Sequence, residues 1–149
     1  MQQWEAQINW TCREPSTPRI VLSSPASLYH AFEESMRYPK ERFTVIVLDQ
    51  KNAVIGFVHV TTGTLTCALA HPREVFQPAI LMNGAGVILA HNHPSGDPSP
   101  GVADISVTKQ LSDAGKILGI PVLDHMIFGS PDCDPAGLGY YSFADSGLI

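Results

Sequence analysis

The sequence has few cysteines and few basic residues. Its three cysteines, Cys12, Cys67 and Cys133, lie far apart and form no CxxC pair, so no disulfide framework is expected and a reducing compartment is favoured. Nine lysines and arginines stand against fourteen aspartates and glutamates, which gives a net charge of −5. Because non-specific nucleic-acid binding depends on neutralising phosphates, this balance argues against direct nucleic-acid binding.

Long apolar runs are also missing. No stretch reaches the roughly 18 apolar residues that a membrane helix needs, so no membrane partner is expected. The opening residues MQQWEAQINW lack the basic and apolar regions of a signal peptide. We therefore expect a cytoplasmic protein. Its 149 residues, 44% hydrophobic and 15% charged, are typical of one globular domain.

Proline placement suggests where that domain begins. Two prolines among the polar residues of REPSTPR indicate a linker, so residues 1–22 are predicted to be an N-terminal extension and residues 23–149 the domain. Ser24 and Pro25 then offer a helix cap and a first helical residue. Apolar residues recur at helical spacing from there to about Arg37.

Strand and helix patterns mix in the rest of the chain, which favours the α/β or α+β class with helices flanking a sheet. Short apolar runs, several rich in β-branched residues, predict strands at 43–49, 53–60, 64–70, 86–91 and 121–129, with a last short strand in 140–149. A helix is predicted over 72–83, kinked or divided in two at Pro78, and another ends near Gly119.

The stretch HNHPSGDPSPGVAD, from His91 to Asp104, carries the main chemical signal. In an extended segment residues i and i+2 point the same way, so His91 and His93 can aim at one point beyond a strand end. Two histidines, one carboxylate and an open position for water make a hydrolytic zinc arrangement, and Asp104 is the best third ligand.

The loop before Asp104 is rich in proline and glycine. Ser99 is expected to cap the next helix and Pro100 to take its first position. Gly101 then lies in the first turn, with Asp104 one turn further along the same face. Asn92, Ser95 and Asp97 are predicted to shape the loop, and Asp97 is a candidate to support a ligating histidine.

A hydrolytic site also needs a proton acceptor. Glu41 precedes the strand over 43–49, a plausible neighbour of the strand that ends at His91, so Glu41 is the candidate general base. His-x-His alone is a weak motif, and an ordinary structural histidine is the competing interpretation. For His71 and His125 that structural role is favoured. The tripeptide HNH is too compact for the dispersed motif of HNH nucleases.

Several blocks resemble the RadC family, a bacterial branch of the JAMM, or MPN-domain, metalloproteins. They include TGTL, HPREVF, AHNHPSGDPSP, LGIPVLDHMIFG and YYSF, and the likeness covers about residues 23–149. The resemblance implies the JAMM fold, deaminase-like, with a central mixed sheet and flanking helices. The family motif matches His91, His93 and Asp104 as zinc ligands and places its glutamate at Glu41. The family's serine, thought to stabilise the oxyanion, is Gly101 here.

We therefore expect one zinc ion per chain and a peptidase or isopeptidase whose turnover is weakened at Gly101. The alternative is a metal-stabilised binding module with little or no turnover, linked to DNA repair or to mobile elements. Longer family members begin with a helix-hairpin-helix region suited to DNA. This chain is expected to be too short to hold it, which lowers the nucleic-acid case further.

Overall fold

The computed structural model describes residues 19–63 and 70–149. Within these ranges the chain forms three helices and five strands. In chain order they are α1 (Pro25–Met36), β1 (Glu41–Leu48), β2 (Val54–Gly63), α2 (Pro72–Leu81), β3 (Gly86–Asn92), α3 (Val102–Leu118), β4 (Val122–Phe128) and β5 (Tyr140–Ser142). The strand predicted over 64–70 falls almost entirely outside the described residues.

The strands form one mixed sheet in the order β2-β1-β3-β4-β5. Neighbouring strands run antiparallel except β3 and β4, which are parallel and are joined through α3. The predicted adjacency of the first and fourth strand segments is confirmed, because β1 pairs with β3 and Phe43 lies opposite His91. A mixed sheet with flanking helices confirms the α/β class.

Helices cover both faces of the sheet. Alternate residues of the central strands enter two separate apolar clusters. On one face Val87 and Leu89 pack with residues of α2 and α3, and on the other Ile88 and Ala90 pack with residues of α1. Every residue of β3 is buried, which explains why this strand is a continuous apolar run rather than an alternating one.

Helix α1 begins as predicted, with a capping box between Ser24 and Ser27. Helix α2 begins after His71, whose ring accepts a hydrogen bond from the Arg73 N–H. It continues across Pro78 as one helix, so the predicted division into two pieces is wrong. A proline removes one intrahelical bond, and here the ring is buried in the core side of the helix.

Helix α3 begins later than predicted. Gly101 is its N-cap, with φ −85° and ψ 172°, so the assignment of Ser99 as the cap, Pro100 as the first helical residue and Gly101 to the first turn is wrong. The Asp104 carboxylate accepts the Gly101 N–H at 2.7 Å. A carboxylate at the third helical position that binds the N-cap amide fixes the helix start there. The Gly101 amide is therefore not among the free amides of the first helical turn.

The segment before α1 adds to the sheet edge. Val54 donates its N–H to the Ile20 carbonyl at 2.8 Å, and Leu22 donates to the Asn52 carbonyl at 2.9 Å. The Leu22 side chain is buried. Residues 20–22 therefore pack on the β1–β2 turn. Within the described part of the chain no helix has both the length and the apolar composition of a membrane span.

Candidate metal centre

Three side chains converge where β3 ends and α3 begins. The His91 Nε2 lies 3.1 Å from the His93 Nε2 and 3.1 Å from the Asp104 Oδ1. The His93 Nε2 lies 3.6 Å from the Asp104 Oδ2. One atom from each residue lies within 4.8 Å of the other two. This set of two imidazole nitrogens and a carboxylate could hold a metal ion.

The chain between the histidines and Asp104 is a compact loop. His93 donates its backbone N–H to the Phe128 carbonyl at 2.9 Å, which anchors the loop to the end of β4. Gly96 donates to the His93 carbonyl at 2.9 Å and has a φ of +87°, a conformation that glycine adopts without steric cost. The turn directs the chain back towards α3, so Asp104 returns to the histidines.

The hydrogen bonds of His93 show how its ring presents itself to a metal. Its Nδ1 lies 2.8 Å from the Asp97 carbonyl. A carbonyl only accepts, so Nδ1 carries the proton, and in the neutral ring Nε2 offers a lone pair. This lone pair points towards the Asp104 carboxylate. Such an arrangement requires a cation, either a proton or a metal, and nitrogen with carboxylate oxygen is a ligand set that suits zinc.

The local electrostatics favour the metal-binding charge state of His91 and Asp104 and the protonated state of His93. Burial lowers the pKa of His91, which keeps its ring neutral. Burial also opposes ionisation of Asp104, but hydrogen bonds with His91 and His93 outweigh it and lower the pKa of the carboxyl. For His93, burial is outweighed by hydrogen bonds to Asp104 and Asp97, which raise its pKa. Because metals bind deprotonated ligands, a metal would displace a proton here.

Asn92 ties the ligand strand to the start of β1. Its side-chain oxygen accepts the Arg42 N–H at 2.9 Å. Its amide nitrogen donates to the carbonyls of Tyr38 at 3.0 Å and Lys40 at 3.1 Å. The Asn92 side chain itself is 4% exposed. Asn92 thereby fixes the backbone on both sides of Glu41.

Replacing Asn92 by leucine should therefore destabilise the fold. The change removes three hydrogen bonds, to the N–H of half-buried Arg42 and to the carbonyls of Tyr38 and Lys40. One net hydrogen bond is worth about 1 kcal/mol, and water can reach the exposed carbonyls, so we expect a loss of about 1–2 kcal/mol. Urea unfolding of the purified variant measures the loss. Ser95→Ala is the matched control, because Ser95 is exposed and accepts only one long bond, from Asp97 N–H at 3.3 Å. Equal midpoints for the two variants would contradict the assignment.

Asp97 supports His93, but through its backbone. The contact to the His93 ring comes from the Asp97 carbonyl, whereas its carboxylate accepts the Ser99 N–H at 2.9 Å. The Ser95 hydroxyl accepts the Asp97 N–H. These bonds hold the loop in the conformation that places the Asp97 carbonyl against the His93 ring.

Two residues outside the predicted ligand set lie directly against it. His125, for which the sequence favoured a structural role, is fully buried with its Nε2 2.8 Å from the His91 Nδ1. Thr108 was not singled out, yet it contacts His125 and the Asp104 carbonyl. Its position four residues after Asp104 places both on one helix face, a signal that was available. The contact between His125 and His91 could not be predicted from the sequence, because it depends on the parallel pairing of β3 with β4.

Glu41 is the first residue of β1 and lies opposite Gly63 of β2. Phe43 pairs with His91 in the antiparallel register, and continuing that register places Glu41 opposite His93. The charge of Glu41 acts on both ligand imidazoles and favours their protonated forms. Glu41 also borders a cleft of about 420 Å³, lined with Lys40, Gly63 and Pro94. Glu41 therefore lies on the strand next to the one that carries His91 and leads directly into His93.

Comparison with known proteins shows the family. The family model for the RadC-like JAB domain matches residues 22–148. The chain belongs to the RadC family. This confirms the resemblance carried by the sequence blocks, and with it the JAB, or MPN, type of domain.

Curated relatives of this RadC-type chain cover most of its length. A UPF0758 protein of Desulfitobacterium hafniense is 51% identical over 112 residues, which are 74% of this chain and 49% of that protein. One of Syntrophotalea carbinolica is 39% identical over 138 residues, 92% of this chain and 58% of the relative. One of Methanosarcina mazei is 42% identical over 133 residues, which are 89% of this chain and 55% of that protein. The chain spans about half the length of these relatives, and their names state no reaction.

Proposed function

We propose that this RadC-type domain is a zinc-dependent hydrolase of amide bonds, a peptidase or isopeptidase. The observation that carries the proposal is the convergence of His91, His93 and Asp104. Glu41 begins the strand that pairs with the strand of His91, which supports a role for it at the same site. The three residues would hold the ion. Zinc bound there supplies Lewis-acid chemistry: it polarises a carbonyl and lowers the pKa of water to about 7.

The role proposed for Glu41 is proton transfer. Its carboxylate takes a proton from the attacking water and passes it to the leaving nitrogen, acting first as general base and then as general acid. Its place at the strand end supports this role, because the cleft leaves it open to a substrate. Asn92 binds the backbone on both sides of Glu41, which holds the Glu41 backbone next to the ligand strand.

The surface around Pro94 supports a peptide-like substrate. Pro94 lines both the cleft beside Glu41 and a pocket of about 290 Å³. His93 and Pro94 line this second pocket together with aromatic residues that include Tyr29 and Phe128. An extended chain that crosses Pro94 would place residues in both depressions, with the scissile amide beside the metal centre.

A cleavage screen tests the proposal. Zinc-loaded protein is incubated with a mixed peptide library and with isopeptide-linked peptides, and products are identified by mass spectrometry. We expect cleavage that a chelator abolishes and that zinc restores. Cleavage that persists in the His93→Ala variant belongs to a contaminant and would contradict the proposal.

Gly101 favours a second candidate function, a metal-stabilised binding module with little turnover, tied to DNA repair or mobile elements. Glycine provides no side-chain hydroxyl at the position where the family has serine, and its N–H is bound by Asp104. Under this alternative, zinc removal lowers the unfolding temperature and the library screen yields no products. Under the hydrolase proposal zinc removal also abolishes a measurable activity.

Restoring the serine should raise turnover. A Cβ at position 101 would meet only the Asp104 Oδ2, at 3.4 Å, and the backbone φ is −85°, so Gly101→Ser fits without strain. One oxyanion donor is typically worth about 10²–10³ in rate, so we expect a gain of up to about 10²-fold with zinc content unchanged. Serine is also at least as good an N-cap as glycine, by a few tenths of a kcal/mol, so stability should not fall.

The matched control for this substitution is Gly101→Ala, which adds the Cβ without the hydroxyl. Kinetics with any peptide found in the screen compare the three proteins. We expect the alanine variant to stay at the parent rate. An unchanged or lower rate in Gly101→Ser with zinc still bound would mean that another group already stabilises the oxyanion.

A further inference from the structure

A buried chain of hydrogen bonds lies behind the metal centre. The His91 Nδ1 contacts the His125 Nε2 at 2.8 Å, the His125 Nδ1 contacts the Thr108 hydroxyl, and that hydroxyl donates to the Asp104 carbonyl. His91 and His125 are fully buried and Thr108 is 1% exposed. This series of hydrogen bonds therefore begins at the candidate ligand His91 and ends on the backbone of the candidate ligand Asp104. It has no contact with bulk water.

The chemistry of its last bond sets the direction of all the others. A backbone carbonyl can only accept, so the Thr108 proton lies on the Asp104 side. The Thr108 oxygen then accepts from the His125 Nδ1–H. The neutral His125 ring consequently has a bare Nε2, which accepts from the His91 Nδ1–H. His91 is left with a lone pair on Nε2, the atom that faces His93 and Asp104.

We propose that Thr108 and His125 are positioning residues that hold His91 in the tautomer able to bind a metal. The inference rests on the proposed metal site and deepens it. Apolar packing keeps the arrangement from relaxing: Phe143 stacks on the His125 ring at 5.0 Å, and Phe43 packs against the rings of both His91 and His125. No other hydrogen-bond partner for the His125 Nδ1 is found among the described residues.

The donor and acceptor roles in this series of hydrogen bonds can also be reversed, and the reversed arrangement opposes metal binding. If the His125 proton lay on Nε2, the His91 Nδ1 would have to accept it. The His91 proton would then lie on Nε2, where it blocks the metal. Replacing Thr108 by valine favours this reversed state, because a buried N–H without an acceptor is rarer than an acceptor without a donor. Valine keeps the shape of threonine and removes only the hydroxyl.

Zinc affinity tests the proposal. Competition with a chromophoric chelator gives the zinc dissociation constant of the full chain. We expect Thr108→Val to bind zinc about 10- to 100-fold more weakly, the range for removing a group that orients a metal ligand. Thr108→Ser keeps the hydroxyl and should restore binding close to the parent value. Thermal unfolding of both zinc-free variants checks that each remains folded.

A second readout needs no variant. Nitrogen-15 NMR of histidine-labelled, zinc-loaded protein reports which ring nitrogen carries each proton. We expect protonated Nδ1 and bare Nε2 on His125. A proton on the His125 Nε2, or parent-like zinc affinity in Thr108→Val, would overturn this inference alone. A parent protein that binds no zinc would overturn the proposed function, and this inference with it.

Discussion

Alanine in place of His93 will leave the protein with almost no bound zinc. The parent chain should carry one zinc ion, held by His91, His93 and Asp104. Without the His93 ring only two protein ligands remain, fewer than the three that catalytic zinc sites use. Elemental analysis after dialysis against a weak chelator measures the loss. His91→Ala should give the same result, although it also removes a fully buried ring that packs against Phe43.

An exposed histidine provides the control for these two variants. His30 lies on α1 and is exposed, so His30→Ala should keep the full zinc content. If His91→Ala and His93→Ala also retained one zinc per folded chain, the proposed ligand set would have to be abandoned. His93→Ala is the cleaner of the two tests, because its ring is partly exposed and its removal disturbs the core less.

Glutamine in place of Glu41 should abolish most turnover and leave the zinc in place. The substitution keeps the shape of the side chain and removes its basicity. General acid–base catalysis contributes about 10²–10⁴-fold, so the rate on any substrate from the screen should fall by that factor. Lys40→Gln is the matched control, because Lys40 lines the same cleft and has no proposed role in proton transfer.

The two measurements on Glu41→Gln separate its possible roles. Loss of zinc from this variant would make Glu41 a ligand rather than a base. Retention of both zinc and rate would remove Glu41 from the mechanism, since a glutamine cannot accept the proton.

Short-range chemistry made most of the ligand set predictable. His-x-His at the end of an apolar strand requires only the alternation of side chains along a strand, and the structure brings both rings together. Glu41 required one further assumption, that two buried strands are neighbours, and the β1–β3 pairing confirms that adjacency. The resemblance to the RadC family supplied the assignment of the glutamate that spacing alone could not.

The differences between the structure and the sequence predictions have an equally physical origin. Helix α3 starts at Gly101 because a carboxylate three residues on binds its amide, whereas cap preferences alone favour Ser99 and Pro100. The support from His125 could not be derived locally, because 34 residues separate it from His91 and a parallel strand pair brings the two together. Helix α2 continues across Pro78, which is buried, whereas helix propensity alone disfavours an interior proline.

The β3–α3–β4 crossover carries most of the residues of the proposed site, and a separate segment of the sequence carries the rest. The proposed ligands and the two polar residues that orient His91 lie between Gly86 and Phe128, in one continuous supersecondary unit, whereas the proposed base comes from β1. Ion capture and bond cleavage are thus encoded in separate stretches of sequence. Under the proposed function, a substitution of Glu41 on β1 would therefore remove the chemistry and leave the ion in place.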